Sequence, residues 1–271
     1  MGFQLSPGVN VSEIDLTTVV PSVLTTAGAF AGTFRWGPAN KVILIDSEIT
    51  LAKTFGAPDS NSAISFFTGA NFLSYGNTLN VVRAIGSNCY NSTSNTSPSV
   101  ASVQIDNDDI YQYSYLATGA ANAYGPFVGK YAGVLGNSLS IVVVDTGSNA
   151  WSNIFTSAPS TSSYASSLGG ANDEIHIAVV DTNGLFSGTK NTVLETYPFV
   201  SKAIDATLNG SSNYYKQVIF DNSKYIFAMD PPDYANTSST WGTTAANKTF
   251  ATIGGKTATY AMSNGKDHVP S

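Results

Sequence analysis

The fold is decided by residues 19–85, which begin VVPSVLTTAGAFAGTFRWGPAN, continue KVILID at 41–46 and EITLAKTFG at 48–56, and end TLNVVRAI at 78–85. The run Ala27–Phe34 mixes small and aromatic side chains with two glycines, which indicates a strand that passes close to another backbone. A turn signal follows at Trp36-Gly-Pro. Lys41–Asp46 encloses a continuous apolar run and predicts a buried strand.

Two helices are predicted between this strand and the last one. Ser47 can cap a short helix with Glu48 in its first turn, and Gly56 lies just past its end. Residues 61–75 give the strongest helical pattern of the chain, because apolar residues fall on one face, namely Ala63, Phe66, Phe67, Ala70 and Leu73. Leu79–Ile85 then returns as a strand, so residues 23–87 are predicted to form a small α/β unit.

Composition excludes several classes of protein. At 271 residues the chain can form one large domain or a few small ones. Charged residues make up only 11% of it, and Ser, Thr, Asn and Gly take their place. The net charge is −6 and the basic residues are scattered, whereas a nucleic-acid binder carries a basic stripe. We therefore expect no nucleic-acid partner.

The cysteine and the apolar runs exclude further classes. Cys89 is the only cysteine, which leaves no disulfide framework and no Cys-based zinc site. The first residues lack the basic and apolar regions of a signal peptide. No apolar run reaches the ~18 residues of a membrane span, so we expect no direct membrane insertion.

Residues 1–22 are predicted to form an N-terminal arm. Pro7-Gly8 is a turn, and Val9, Val11 and Glu13 alternate with polar residues over a short two-residue period. The segment is too short and polar to form its own core. Two alternatives follow: a disordered terminus, or a strand donated to the sheet edge of a neighbouring chain.

The rest of the chain is predicted to contain a linker at 88–99, an inserted β domain at 100–185 and a further domain, incomplete, at 186–271. The linker is rich in Asn, Ser and Thr and has no periodicity. Four β-branched or aromatic runs predict a β-barrel or sandwich, at Val100–Ile105, Ile110–Ala117, Leu139–Asp145 and Glu174–Asp181. The predicted fold class is α+β, multidomain, ending in the start of a further α/β domain.

The residues around each candidate catalytic or metal-binding motif do not complete the motif. His176 lies in a predicted strand and His268 lies near the end, so a His-based metal site or triad is disfavoured. Gly254-Gly-Lys-Thr resembles the end of a phosphate-binding loop, but no long helix can follow it. Residues 106–109 suggest a calcium loop, yet Ile110 and Tyr111 stand where a ligand and a glycine are needed, which favours a hairpin turn.

Two further residues were candidates for function. Cys89 has no basic residue beside it in the sequence, and a reactive thiolate needs such a setting, so an inert cysteine is expected. Arg35-Trp36 indicates either a cation–π or interface anchor, or an aromatic residue packed in a turn. We therefore predict neither enzymatic activity nor a cofactor.

An ordered series of segments resembles the tail sheath protein of contractile-tailed bacteriophages, of the T-even-like and cyanophage kind. The segments are the Pro-Gly-Val-x-Val-x-Glu opening at Pro7, GTFRWGP at 32–38, FLSYG at 72–76, VVRA at 81–84, GKYAGVLGNSL at 129–139, DEIHIAVVD at 173–181 and NYYK at 213–216. Sheath proteins of this kind are longer and end in a large C-terminal domain, so the resemblance implies that this chain is an N-terminal portion.

The resemblance implies a structural virion protein that assembles in the host cytoplasm. Its implied partners are other copies of itself in stacked hexameric rings, the tail tube protein, and the baseplate and tail terminator proteins. Contraction would drive the tube through the host envelope. The resemblance further implies that the arm around Pro7, Gly8, Val9, Val11 and Glu13 links subunits, and that the β domain protrudes from the tail. The alternative is a receptor- or carbohydrate-binding β module of a virion, which the abundant Tyr, Asn and Ser suit.

Overall fold

The computed structural model describes residues 27–95 and 102–267. The strands are β1 Gly28–Gly32, β2 Val42–Ile45, β3 Leu79–Arg83, β4 Asn91–Thr93, β5 Phe127–Ala132, β6 Leu139–Asp145, β7 Glu174–Asp181, β8 Thr192–Ser201, β9 Thr207–Leu208, β10 Ser211–Ser212, β11 Ile226–Ala228 and β12 Thr257–Ala261. The α-helices are α1 Glu48–Phe55, α2 Ala63–Leu73, α3 Asp108–Tyr111, α4 Ser163–Ser167, α5 Tyr215–Asn222 and α6 Tyr234–Thr237. The predicted mixture of helices and strands is confirmed.

The first unit is a three-stranded sheet in the order β1-β3-β2 with two helices on one face. Strands β1 and β3 are parallel, and β2 is antiparallel to β3. The core lies between the sheet and the helices and contains Phe34, Ile45, Leu51, Phe55, Phe66, Ala70, Leu79 and Val81. These elements lie within residues 23–87, where the sequence predicts a small α/β unit.

Local signals place the helices of this unit. Ser47 accepts a hydrogen bond from the backbone N–H of Thr50 and caps α1 as predicted, while Gly56 ends it with φ 81°. The glycines of β1 let α2 approach the sheet closely. A Cβ on Gly28 would lie 2.7 Å from a ring carbon of Phe72, and one on Gly32 would lie 2.7 Å from Ser65 Oγ.

The burial of two segments in this unit was predicted wrongly. Strand β2 is not buried, because it is an edge strand whose outer face is uncovered, and Val42 and Leu44 are 62% and 63% exposed. Helix α2 buries Phe66 and Ala70, but Phe67 is 53% exposed. Phe67 lies next to the predicted apolar face and points away from the sheet, since neighbouring residues of a helix point in directions about 100° apart.

The second unit contains two antiparallel sheets around one apolar core. One sheet has the order β12-β6-β7-β8 and the other has the order β11-β5-β4. Residues of both sheets and of α5 share the core, including Phe127, Ile141, Val143, Ile175, Ile177, Val179, Tyr215, Ile219 and Ile226. The predicted strands Leu139–Asp145 and Glu174–Asp181 are confirmed at their predicted bounds.

Strand pairing extends the second unit beyond residue 185, where the sequence predicts a domain boundary. Strand β7 pairs with β8, β6 pairs with β12, and β5 pairs with β11, so residues on both sides of 185 complete each sheet. The expected linker at 88–99 also contains a strand, since the buried residues Asn91–Thr93 pair with β5. Two of its three side chains are hydrogen-bonded inside the protein: Asn91 donates to the carbonyl oxygen of Gly129 at 2.9 Å, and Thr93 donates to that of Asn95.

The predicted strand at Ile110–Ala117 is helical instead. Asn107 caps α3 by accepting from the N–H groups of Asp109 and Ile110, and the chain continues in a π-helical turn at Gln112–Leu116. Tyr111 stacks on Phe227 with ring centroids 4.0 Å apart, whereas Tyr113 is 94% exposed. The alternation of tyrosines therefore did not reflect one face of a strand. The expected hairpin turn at 106–109 is likewise a helix start, and residues 102–105 form no strand.

Candidate functional site

His176 has a structural environment. It is buried in β7, its ring contacts Phe155 and Phe199, and its Nδ1 accepts a hydrogen bond from the backbone N–H of Phe199. Its Nε2 lies 2.8 Å from the carbonyl oxygen of Ser157, which fits a neutral imidazole with the proton on Nε2. Burial lowers the pKa of His176, so the ring is neutral near pH 7.

In the segment that resembles a phosphate-binding loop, the backbone N–H of Gly254 already has a hydrogen-bond partner. The N–H of Gly254 donates to the carboxylate of Asp233 at 3.0 Å. Residues after Lys256 form strand β12 rather than a helix. A phosphate group would need that amide and a helix N-terminus, so the geometry does not fit one.

The acidic residues at 106–109 are used in local contacts. Asp106 accepts from Asn40, and Asp109 forms an ion pair with Lys41 at 2.9 Å. Within residues 27–95 and 102–267, no group of three or more His, Cys, Asp or Glu side chains is placed to hold a metal ion. Cys89 is buried. No helix within the same ranges has the length and apolar character of a membrane span.

The most buried ion pair joins Lys202 to Asp145, and both side chains are fully buried. Lys202 Nζ lies 2.5 Å from Asp145 Oδ1 and also donates to the carbonyl oxygen of Asn172. The second oxygen of Asp145 accepts from the backbone N–H of Ile253. Burial lowers the pKa of Lys202, while Asp145 opposes that shift. Because each charge has a partner, the pair fixes the ends of β6 and β8 to the segment before β12.

Two side chains join the α/β unit to the second unit. Trp36 is buried and its ring meets those of Tyr131 and Phe186 edge to face. Arg83 is buried at the end of β3 and donates to three carbonyl oxygens, those of Phe34, Gly37 and Ala132. Burial lowers its pKa to about 10. For Arg35-Trp36 the sequence left two alternatives, a cation–π or interface anchor and an aromatic residue packed in a turn. Trp36 is a packed aromatic residue, and Arg35 forms an ion pair with Asp59.

The free face of the three-stranded sheet is mostly apolar, and much of it is exposed in the part of the chain that the structure describes. By register, Ala29 and Ala31 of β1 lie on the same face as Val42 and Leu44 of β2 and Asn80 and Val82 of β3. Both alanines are exposed, and Val42 and Leu44 are more than half exposed. Sheets with parallel strands are usually covered on both faces. This face therefore has the character of a packing surface.

The outer side of α2 is a second uncovered surface. Ile64 is 85% exposed and Phe67 is 53% exposed, and Tyr75 just beyond the helix is 96% exposed. Residues 60–82 contain no Asp, Glu, Lys or Arg. Thr68 and Asn71 are exposed on the same side, so this side is uncharged and presents both apolar and polar side chains. We call the outer side of α2 the uncharged surface of the α/β unit; it lies on the opposite side of the unit from the free face of the sheet.

Sequence reasoning missed the uncharged surface, although its signal was present. The absence of charge between residues 60 and 82 could have identified it without a structure. The predicted inter-subunit residues Pro7, Gly8, Val9, Val11 and Glu13, and also His268, lie outside the described residues. What the described residues bring together is a set of packing surfaces.

Comparisons with known proteins find similarity to tail sheath proteins of bacteriophages. Residues 25–84 match the family model described as "Tail sheath protein Gp18 domain III N-terminal region". The tail sheath protein of Vibrio phage KVP40 is 30% identical over 216 residues, which cover 74% of this chain and 30% of that protein. The tail sheath protein of Enterobacteria phage T4 is 42% identical over 81 residues, which cover 30% of this chain and 12% of that protein.

Among solved structures, a sheath tail protein from Listeria innocua matches with a TM-score of 0.43 and 11% identity, over 90% of this chain and 35% of that chain. The chain spans less than a third of the length of the curated relatives that it matches. The resemblance to tail sheath proteins of bacteriophages is confirmed by the family model and by these relatives.

Proposed function

We propose that this chain is part of a subunit of a contractile phage tail sheath, a structural virion protein that polymerises around the tail tube. The observation that carries the proposal is the match of residues 25–84 to a tail sheath domain, on a unit that exposes apolar side chains on the free face of its sheet and on the outer side of α2. Exposed apolar patches of this kind mark surfaces that pack against other protein. The buried, neutral His176 and the occupied backbone of the Gly254 loop support a structural role rather than catalysis.

In the proposed role, subunits form stacked hexameric rings and contact the tube, the baseplate and the tail terminator. Contraction changes the packing between subunits by rigid-body motion and drives the tube through the host envelope. Such motion needs subunits that do not deform internally. The buried contacts of Arg83 and Trp36 between the two units support this requirement. Assembly is proposed to take place in the host cytoplasm.

The N-terminal arm is proposed to link neighbouring subunits. Its predicted linking residues are Pro7, Gly8, Val9, Val11 and Glu13. A strand donated to another chain binds through main-chain hydrogen bonds, and a flexible connection behind it tolerates rotation of the subunit. Ordering the arm costs about 1–2 kcal/mol per residue, so several hydrogen bonds and buried side chains must form together.

Electron microscopy of virions tests the proposal. An antibody raised against this chain should label the whole length of extended tails, in a periodic pattern along the sheath. The longer protein that contains this sequence should assemble into cylinders, and removal of residues 1–20 should leave soluble subunits that form none. Label confined to tail fibres or to the capsid would contradict the sheath assignment and would favour a receptor-binding module.

A further inference from the structure

A cleft lies between helix α1 and the second unit, beside the junction that Trp36 and Arg83 form. Its cavity volume is about 820 Å³. The apolar part is formed by Ile49 on one wall and Leu185 on the other, with Trp36, Tyr131, Phe186 and Tyr225 between them. Ile49 is 68% exposed and Leu185 is 51% exposed, so neither side chain is covered within the described part of the chain.

Within the described part of the chain, the charged residues that line this cleft are Arg35, Lys53, Lys130 and Lys224. The carboxylate of Glu195 lies next to the cleft, where it accepts from Ser223 Oγ and from the backbone N–H of Lys224. The whole chain has 18 acidic and 12 basic residues, so a third of its cations surround one cleft in an acidic protein. We call it the basic cleft.

The four cations differ in their availability to a partner. Arg35 pairs with Asp59, and Lys130 pairs with Asp108 and donates to the carbonyl oxygen of Ser223. The side chains of Lys53 and Lys224 are exposed, and neither forms an ion pair with any residue that the structure describes. These two lysines therefore keep their full capacity to bind carboxylates.

The aromatic rings of the cleft pack edge to face against one another. The ring of Phe186 lies edge to face against both Trp36 and Tyr225, with centroids 5.1 and 5.0 Å apart. Trp36 also meets Tyr131 edge to face. A preformed aromatic surface loses little conformational entropy when a side chain packs on it. One buried and three half-buried aromatic rings with exposed lysines at the edge fit a protein segment that has an apolar side chain flanked by carboxylates.

We propose that the basic cleft is a docking site for an acidic, apolar-anchored segment of a second copy of this chain. Charge complementarity selects the occupant, because each copy carries a net charge of −6 and the cleft is the opposite in sign. This inference rests on the proposed sheath function, in which copies of the chain pack against one another. Lys53 and Lys224 steer and bind the carboxylates, and the apolar anchor lies between Ile49 and Leu185.

Sedimentation velocity of the 271-residue chain tests the proposal. The wild-type chain should self-associate at about 0.05 M NaCl and dissociate at about 0.5 M NaCl, because salt screens exposed charges. The double variant Lys53→Glu/Lys224→Glu should stay monomeric at both salt concentrations. The matched control Lys190→Glu/Lys266→Glu changes the net charge equally at exposed lysines outside the cleft and should associate like the wild type.

A photo-crosslinking residue in place of Ile49 gives an independent readout. It should crosslink two copies, with the attached peptide containing Asp or Glu, and the crosslink should disappear in Lys53→Glu/Lys224→Glu. A wild-type chain that is monomeric at low salt, association unchanged by the double variant, or a crosslink only within one copy would each overturn the docking site. If any of these results were found while the antibody still labelled the sheath of virions, the docking site would be refuted and the sheath function would stand. A failure of the docking site is therefore distinguishable from a failure of the proposed function.

Discussion

Arg83 Nη2 donates a hydrogen bond of 2.6 Å to the carbonyl oxygen of Ala132, which joins the last strand of the α/β unit to a strand of the second unit. The other guanidinium nitrogens bond to the carbonyl oxygens of Phe34 and Gly37 in the first unit. No carboxylate is among these partners, so the charge of Arg83 is stabilised by backbone dipoles across the junction.

Replacing Arg83 by methionine should destabilise both units. The variant leaves three buried carbonyl oxygens without this donor, and we expect a loss of roughly 3–5 kcal/mol in the free energy of unfolding. Urea denaturation followed by circular dichroism measures it. The control Arg35→Met removes only a partly exposed ion pair and should cost about 1 kcal/mol or less. Equal losses in the two variants would contradict the role of Arg83.

Removal of Lys202 should be costly because it leaves Asp145 charged and buried without its partner. We expect Lys202→Met to lower the free energy of unfolding by about 3–5 kcal/mol. The double variant Lys202→Met/Asp145→Asn should recover part of that loss, since it removes the uncompensated charge. The exposed Lys190→Met serves as the control in chemical denaturation. A double variant less stable than Lys202→Met would count against this account.

His176 should make stability fall in mild acid. Burial lowers its pKa in the folded protein below the ordinary value of 6.5. As the pH falls through that ordinary value, the unfolded chain binds a proton before the folded one does, so protonation favours unfolding by at most about 1.4 kcal/mol per pH unit. The variant His176→Gln keeps a donor and an acceptor but does not titrate.

The measurement for His176 is the free energy of unfolding of both proteins between about pH 7.5 and about pH 5.5. The wild type should lose more stability than His176→Gln over this range. Parallel pH profiles for the two proteins would show that the histidine does not contribute. Carboxylates contribute equally to both profiles, so the difference between them isolates the imidazole.

The uncharged surface of the α/β unit should be needed for assembly and dispensable for folding. Because Ile64 and Phe67 are exposed, Ile64→Lys/Phe67→Lys should change the free energy of unfolding by less than about 1 kcal/mol. In the longer protein the same change should abolish cylinders in negative-stain microscopy. Leu208→Lys changes an exposed apolar residue in another part of the protein and should leave cylinders intact. Normal cylinders from the α2 variant would refute the role of this surface.

Elements whose structure depends on neighbouring residues in the chain were predicted correctly from the sequence. The cap at Ser47, the stop at Gly56 and the β-branched runs of β6 and β7 determine their elements through neighbours in the chain. Strand β4 was missed because its Asn91, Ser92 and Thr93 are polar. Their burial depends on contacts with β5 and with residues 103–105, which no local pattern encodes.

The absence of charge in residues 60–82 marks the uncharged surface in the sequence, but its exposure and the basic cleft could not be predicted, for a related reason. Exposure of Phe67 depends on which face of α2 meets the sheet, and the pattern of apolar residues fits two adjacent faces. The lysines of the cleft come from positions far apart in the chain, at 53, 130 and 224. Scattered charge in a sequence therefore does not exclude a concentrated charge in the fold.

The pairing of β6 with β12 has a consequence for synthesis on the ribosome. The N–H of Ile253 reaches Asp145 from 108 positions further along the chain, and β12 follows it directly. Until that segment has left the ribosome, the apolar strand β6 has an open edge on the nascent chain. Open edges of this kind promote aggregation. Production of the protein in quantity should therefore depend on chaperones that bind nascent chains, and slower translation at lower temperature should increase its soluble yield.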